Sequence, residues 1–179
     1  MAHLHTGPGG HDTTVSALVF MEDPARLLVH FHRKLDVWLQ PGGHVEHDEN
    51  PWQAVIRELR EEAGYEIDQL EVLHPFTPVQ GLDHDNQHPT PAILNTHEIG
   101  GSGHWHSDLS FVFVAASEPR HAPAEGESTQ LRWVEIAGID EAQVTPDLAK
   151  IAKAVAANVL PSWIRVPAVD WSLETWRGR

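Results

Sequence analysis

A chain of 179 residues with 41% hydrophobic content is long enough for one domain with a real core. Its net charge of −14 argues against a broad nucleic-acid or anionic-membrane surface, because phosphate backbones demand Lys and Arg. The same charge leaves room for a small phosphate-containing substrate if a bound metal supplies positive charge locally. With no Cys, there is no disulfide, no thiolate nucleophile and no Cys-based zinc site.

Residues 1–11 read as a flexible N-terminus. They lack an apolar core of signal-peptide length, and no run in the chain approaches a transmembrane span, so the expected location is the cytoplasm. Histidine is abundant, at 14 residues, and His3, His5 and His11 fall in this loose segment. From Thr13 to Met21 the chain reads as a buried strand. A turn at Asp23-Pro24 leads into a returning strand from Arg26 to His32. Val37 to Leu39 is a short strand running into Pro41-Gly42-Gly43, where glycine lets the backbone approach a ligand closely.

Asn50 to Gly64 carries a full set of helix signals. Asn50 is an N-cap, Pro51 suits the first helical position, Gln53 completes a capping box, and Gly64 closes the helix. Trp52, Val55, Ile56, Leu59 and Ala63 form an apolar stripe, and Glu58, Glu61 and Glu62 cluster on the other side. Carboxylates spaced i, i+3 and i+4 repel one another, and this helix has no interleaved Lys to relieve them. Such a face suits a hard divalent cation, which binds through oxygen.

Further along, Glu66 to Leu73 reads as a strand and residues 75–91 as a long irregular loop with four prolines. Ala92 to Ile99 and His104 to Ala115 are strands, residues 117–129 an acidic loop, and Leu131 to Ile136 a closing strand. Pro146 to Leu160 has helical spacing. These elements place one domain at 12–160. The tail, 161–179, carries Trp163, Trp171 and Trp176, which either pack on their own domain or form a homodimer contact. His104, His106 and Asp108 alternate along one strand and share a face. Substrate contact, a zinc site and a solvent face all fit that pattern, and His97 on the preceding strand is placed to join it.

Read from Gly43, the run is Gly, five residues, Glu49, seven residues, then Arg57-Glu58-Leu59-Arg60-Glu61-Glu62-Ala63-Gly64-Tyr65. It resembles the complete signature of the Nudix hydrolases. The one soft departure is Tyr65, where an aliphatic residue is more usual. The resemblance implies an α/β fold, the Nudix α/β/α sandwich with a mixed central sheet. It further implies a metal-dependent pyrophosphohydrolase using Mg2+ or Mn2+. By the same resemblance Glu58, Glu61 and Glu62 hold the metal with help from the Gly43 carbonyl, Arg57 orients them, and Glu49 pairs with Arg57. A helix-surface ion pair of Arg57 with Glu61 fits as well. Glu127, six residues before Trp133, stands where Nudix chains often carry a further acid; metal ligand, catalytic base and solvated loop acid all remain open.

The signature sets reaction class rather than substrate. Isopentenyl diphosphate isomerases need a Cys, which is absent. Dinucleoside polyphosphate hydrolases usually show a Tyr downstream of the box, and Tyr65 is the only Tyr. The extra motifs of the coenzyme A and NADH pyrophosphatases are not found. Pro75 and Pro78 are candidates for the downstream Pro of ADP-ribose-type enzymes. The net charge disfavours messenger-RNA decapping. The leading expectation is hydrolysis of a nucleoside diphosphate linked to another group, or of a nucleotide triphosphate. The alternative is a non-catalytic ligand-sensing module, disfavoured by an intact acid set with nothing basic appended.

Overall fold

The buried strand expected from Thr13 to Met21 becomes β1 (His11–Met21) at the centre of a nine-stranded sheet, in a computed structural model that describes residues 10–75, 87–171 and 173. Of the segment 1–11 expected to be flexible, residues 1–9 lie outside the described residues, as do most of the proline-rich loop including Pro78, and Trp176, whereas His11 is not loose but opens β1, paired with Trp105.

The other strands are β2 (Arg26–His32), β3 (Val37–Leu39), β4 (Gly42–His44), β5 (Leu70–His74), β6 (Ile93–Glu98), β7 (Trp105–Ala115), β8 (Leu131–Glu135) and β9 (Ile164–Pro167). The helices are α1 (Pro51–Ala63) and α2 (Pro146–Asn158). Strand order is β3-β2-β1-β7-β5-β9, with β4 on β1, β6 on β7 and β8 on β2. The sheet is mixed. β1 and β7 run parallel from His11↔Trp105 to Phe20↔Val114, and the other pairs are antiparallel. A parallel pair needs a long crossover, and the segment between β1 and β7 that contains α1 provides it.

Alternation along β1 and β7 sends residues to opposite faces, so each face has its own core. Val15, Ala17, Val19, Phe111 and Phe113 meet Trp52, Val55 and Leu59 of α1. Leu18, Phe20, Val112 and Val114 meet Leu148, Ala152 and Val155 of α2. The result is the α/β/α sandwich expected from the signature. Trp52 is fully buried, its ring 5.8 Å from both Phe111 and Phe113 and nearly parallel to the latter. Truncating such a side chain typically costs about 3–5 kcal/mol.

Two segments differ from expectation. The strand expected from Glu66 begins only at Leu70, because Ile67–Gln69 form a 3-10 turn in which Glu66 and Gln69 complete a capping box. Beyond Leu160 the chain adds β9 to the sheet edge through Val72↔Val166 and buries Trp171 in the α1-side core, 5.4 Å from the His74 ring. Trp163 packs against the α2-side core. This part of the tail packs on its own domain. No helix among the described residues is long and apolar enough to cross a membrane.

Candidate active site

The local signals of α1 all appear as hydrogen bonds. The Asn50 side chain accepts from the Gln53 amide at 2.9 Å, the Gln53 side chain accepts from the Asn50 amide at 2.8 Å, and Gly64 is left-handed at φ 73°. A Cβ at Gly64 would collide with the carbonyl of His121, so the loop from 117 to 129 passes directly over the helix end. Two bonds fasten it there, from the His121 amide to the Gly64 carbonyl and from the Ala124 amide to the Glu61 carbonyl. That attachment brings Glu127 close enough to act electrostatically on Glu58 and Glu62. Tyr65 replaces the usual aliphatic residue without loss of packing, since its ring lies in the α1-side core and its hydroxyl donates to the Ser117 carbonyl at 2.7 Å.

Arg57 is the hub. Nε and Nη2 grip Glu49 at 3.1 and 2.7 Å, Nη1 reaches Glu58 Oε1 at 2.8 Å and Glu61 Oε2 at 3.1 Å, and Nη2 also donates to the His44 carbonyl at 3.1 Å. A guanidinium has five N–H donors, and these contacts occupy all of them. Its own pKa rises accordingly, chiefly through the hydrogen bond to Glu49. The surface ion pair with Glu61 and the orienting contact with Glu58 therefore coexist.

The acidic side of α1 is not a solvated face. Glu58 and Glu62 are both 3% exposed, covered by β4 and β2, while the Glu61 side chain is about half exposed. Glu62 Oε2 accepts from the Gly42 amide at 2.9 Å and lies 3.5 Å from His30 Nε2. Among the described residues Glu62 has no cationic partner, because burial holds the His30 imidazole down to about 4, with His32 adding to the effect. Burial pushes Glu58 up to about 7, against the pull of Arg57, with Glu61 and Glu127 adding to the rise. It pushes Glu62 up to about 8, with Glu58, Glu127 and Glu61 adding to it and the Gly42 amide opposing. Buried carboxylates are normally paired or coordinate a metal. Gly43 leaves the space this requires, since a Cβ there would fall on the Glu58 carboxylate. An all-oxygen donor set beside a backbone turn fits a hard divalent cation such as Mg2+ or Mn2+.

A cleft of about 790 Å³ opens beside these groups. Gly42, Gly43 and His30, each of which stands against Glu58 or Glu62, line it, together with His106, Asp108, Lys34 and Lys150. Leu35, Leu39, Ile93 and Ile151 contribute apolar wall. That volume and mixture suit a ligand of nucleotide size.

His104, His106 and Asp108 do not act as one group. Asp108 is buried, and Thr14, Ser16 and Ser110 donate hydroxyls to its oxygens at 2.9, 3.0 and 2.8 Å. His104 and His106 turn instead toward Asp12 and His44, and His97 stands opposite His106 in register. Asp12, His30 and His44 were missed by sequence reasoning. Only His44, immediately after Gly43, carried a signal that could have flagged it.

The family profile described as NUDIX domain matches residues 10–155, and the chain belongs to that family. It is a Nudix hydrolase. Its structure is similar to a NUDIX-family hydrolase from Clostridium perfringens, with TM-score 0.66 and 25% identity over 82% of this chain and 96% of that one. It shares its fold with an Ap4A hydrolase of C. elegans, with TM-score 0.58 and 18% identity over 82% and 96% of the two chains. It also shares it with the dihydroneopterin triphosphate pyrophosphohydrolase of E. coli, with TM-score 0.60 and 17% identity over 87% and 99%. No curated protein sequence matches the chain.

Proposed function

We propose that this Nudix hydrolase cleaves a pyrophosphate bond in a nucleoside diphosphate linked to another moiety, or in a nucleotide triphosphate, by attack of water on phosphorus. The observation that carries the reading is the pair of buried carboxylates, Glu58 and Glu62, pushed up to about 7 and about 8 beside a nucleotide-sized cleft. Burial on that scale without a cationic partner for Glu62 is costly unless a metal or a proton balances the charge.

Glu58, Glu61 and Glu62, with the Gly43 carbonyl, are the residues that would hold Mg2+ or Mn2+. The chemistry such an ion supplies when bound is neutralisation of the pyrophosphate oxygens and acidification of water. Arg57, held by Glu49, fixes the direction of Glu58 and Glu61. Glu127 acts as base on the attacking water from the loop clamped over α1. In the cleft, His106 and the hydroxyl-ringed Asp108 meet the substrate's polar groups, with His104 behind them, while Lys34 and Lys150 balance phosphate charge. The apolar wall takes the base or the second moiety. The similarity to the C. elegans Ap4A hydrolase is one of fold, so it assigns no substrate.

The test is a panel of nucleoside diphosphate derivatives, nucleotide triphosphates and dinucleoside polyphosphates, assayed with Mg2+ or Mn2+ in 18O-labelled water. Label should enter a phosphate product, exhaustive chelation should abolish turnover, and either ion should restore it. Turnover that survives chelation refutes the metal dependence. Binding without turnover across the panel would favour a ligand-sensing module instead.

A further inference from the structure

We propose that Asp12, His44, His104 and His106 form a second divalent-cation site, of zinc class, separate from the carboxylates of α1. One donor atom from each of the four lies within 4.8 Å of the others. Asp12 Oδ2 is 3.3 Å from His104 Nε2 and 3.7 Å from His44 Nε2. The His106 ring stands edge-on to both imidazoles, 4.8 Å from His44 and 5.0 Å from His104. Zinc–nitrogen bonds of about 2.0–2.1 Å in a tetrahedron place neighbouring donors roughly 3.3 Å apart. The Asp12–His104 pair already has that spacing, and small side-chain rotations close the rest.

The donor chemistry separates this site from the first. Three imidazoles and one carboxylate suit Zn2+ and its borderline relatives, whereas Mg2+ prefers oxygen. Asp12, His44 and His104 are buried. His106 Nε2 is buried and has no hydrogen-bond partner among the described residues. Asp108 is excluded as a ligand by the three hydroxyls that occupy it.

The position also gives the site a task. Its ligands come from β1, β4, β7 and the residue just before β7. β4 is only three residues long. Gly43 on β4 faces Glu58, while its neighbour His44 faces Asp12 on the other side, and the His44 carbonyl accepts from Arg57. A cation here pins the short strand against which the box carboxylates are set.

The experiment uses the full chain carrying His3→Ala and His5→Ala, so that the two imidazoles preceding β1 cannot bind metal. After chelator stripping it is titrated with Co2+ in saturating Mg2+. One equivalent should produce the intense visible absorption of four-coordinate Co2+, displaced by Zn2+ and not by more Mg2+. Zn2+ should raise Tm by about 5 °C or more. On the same Co2+ protein, paramagnetically shifted imidazole N–H resonances should number three, a readout that needs no further substitution. His106→Ala should lose the absorption and at least tenfold in affinity, and Glu62→Gln should retain both. The proposal is overturned if the parent shows no such absorption, if fewer than three imidazoles shift, if the absorption survives His106→Ala, or if it vanishes in Glu62→Gln. Any of these failures leaves the Mg2+-dependent hydrolysis of the parent chain as a separate question.

Discussion

Glu62→Gln separates a metal-binding carboxylate from a merely acidic helix face. The substitution keeps volume and shape, and the amide oxygen can still accept from Gly42, now 2.9 Å from Glu62 Oε2. It removes an ionisation that burial has moved from the ordinary 4.5 up to about 8. Because the folded state holds the extra proton between those values, metal-free stability of the parent falls as pH rises from about 4.5 to about 8 and is flat above. At about 1.4 kcal/mol per pH unit, that span sets a ceiling of roughly 5 kcal/mol on the penalty of the ionised form. Relaxation and water penetration reduce such penalties in real proteins, so about 2–3 kcal/mol is the expected gain for Glu62→Gln at pH 9, against none at pH 4. With metal the sign reverses in function. Losing a charged ligand should cost on the order of 4 kcal/mol of transition-state stabilisation, about a thousandfold in kcat. The assays are urea unfolding in chelator at both pH values, Mg2+ calorimetry, and kcat. A variant that binds Mg2+ and turns over like the parent, or that gains nothing at pH 9, refutes the reasoning.

Metal binding at pH 7 should release protons, roughly nine-tenths of one from Glu62 and half of one from Glu58, given values of about 8 and about 7. Calorimetry in buffers of different ionisation enthalpy measures this, and zero release would show that both acids are already ionised. Glu127→Gln should leave Mg2+ affinity nearly unchanged while kcat falls about ten- to a hundredfold and the acidic limb of the pH–rate profile is altered; an unchanged profile removes Glu127 as the base. Trp171→Ala should destabilise the metal-free protein by about 3 kcal/mol, because its ring is buried in the α1-side core. A loss below about 1 kcal/mol would mean that the tail contributes little to that core.

Much of the site was legible because it is local. Asn50, Pro51, Gln53 and Gly64 determine where α1 begins and ends through contacts spanning three or four residues, so their reading needs no tertiary information. The spacing of Glu58, Glu61 and Glu62 likewise follows from helical geometry alone. The strands at 26–32 and 37–39 were also readable, from apolar runs bounded by turn residues.

What the one-dimensional pattern could not show is which side of an element becomes covered. Glu58 and Glu62 flank the apolar stripe, roughly 60° and 20° around the helix from Val55, and whether that flank is covered depends on β2 and β4, which close over it; burial there, with Glu61 and Glu127 nearby, shifts their protonation. His30 reaches Glu62 from β2, a placement that depends on sheet order. Asp12 joins His104 and His106 because β1 and β7 pair in parallel across more than ninety residues, a register set by two packed faces at once. Asp108, which shares the alternation of the two histidines, leaves them for Thr14, Ser16 and Ser110. The sequence by itself determined the helix, its acids and the family, since caps and i, i+4 spacing are short-range. Burial, charge state and the four-residue imidazole–carboxylate cluster were decided by tertiary structure, since each depends on surfaces brought together from distant parts of the chain.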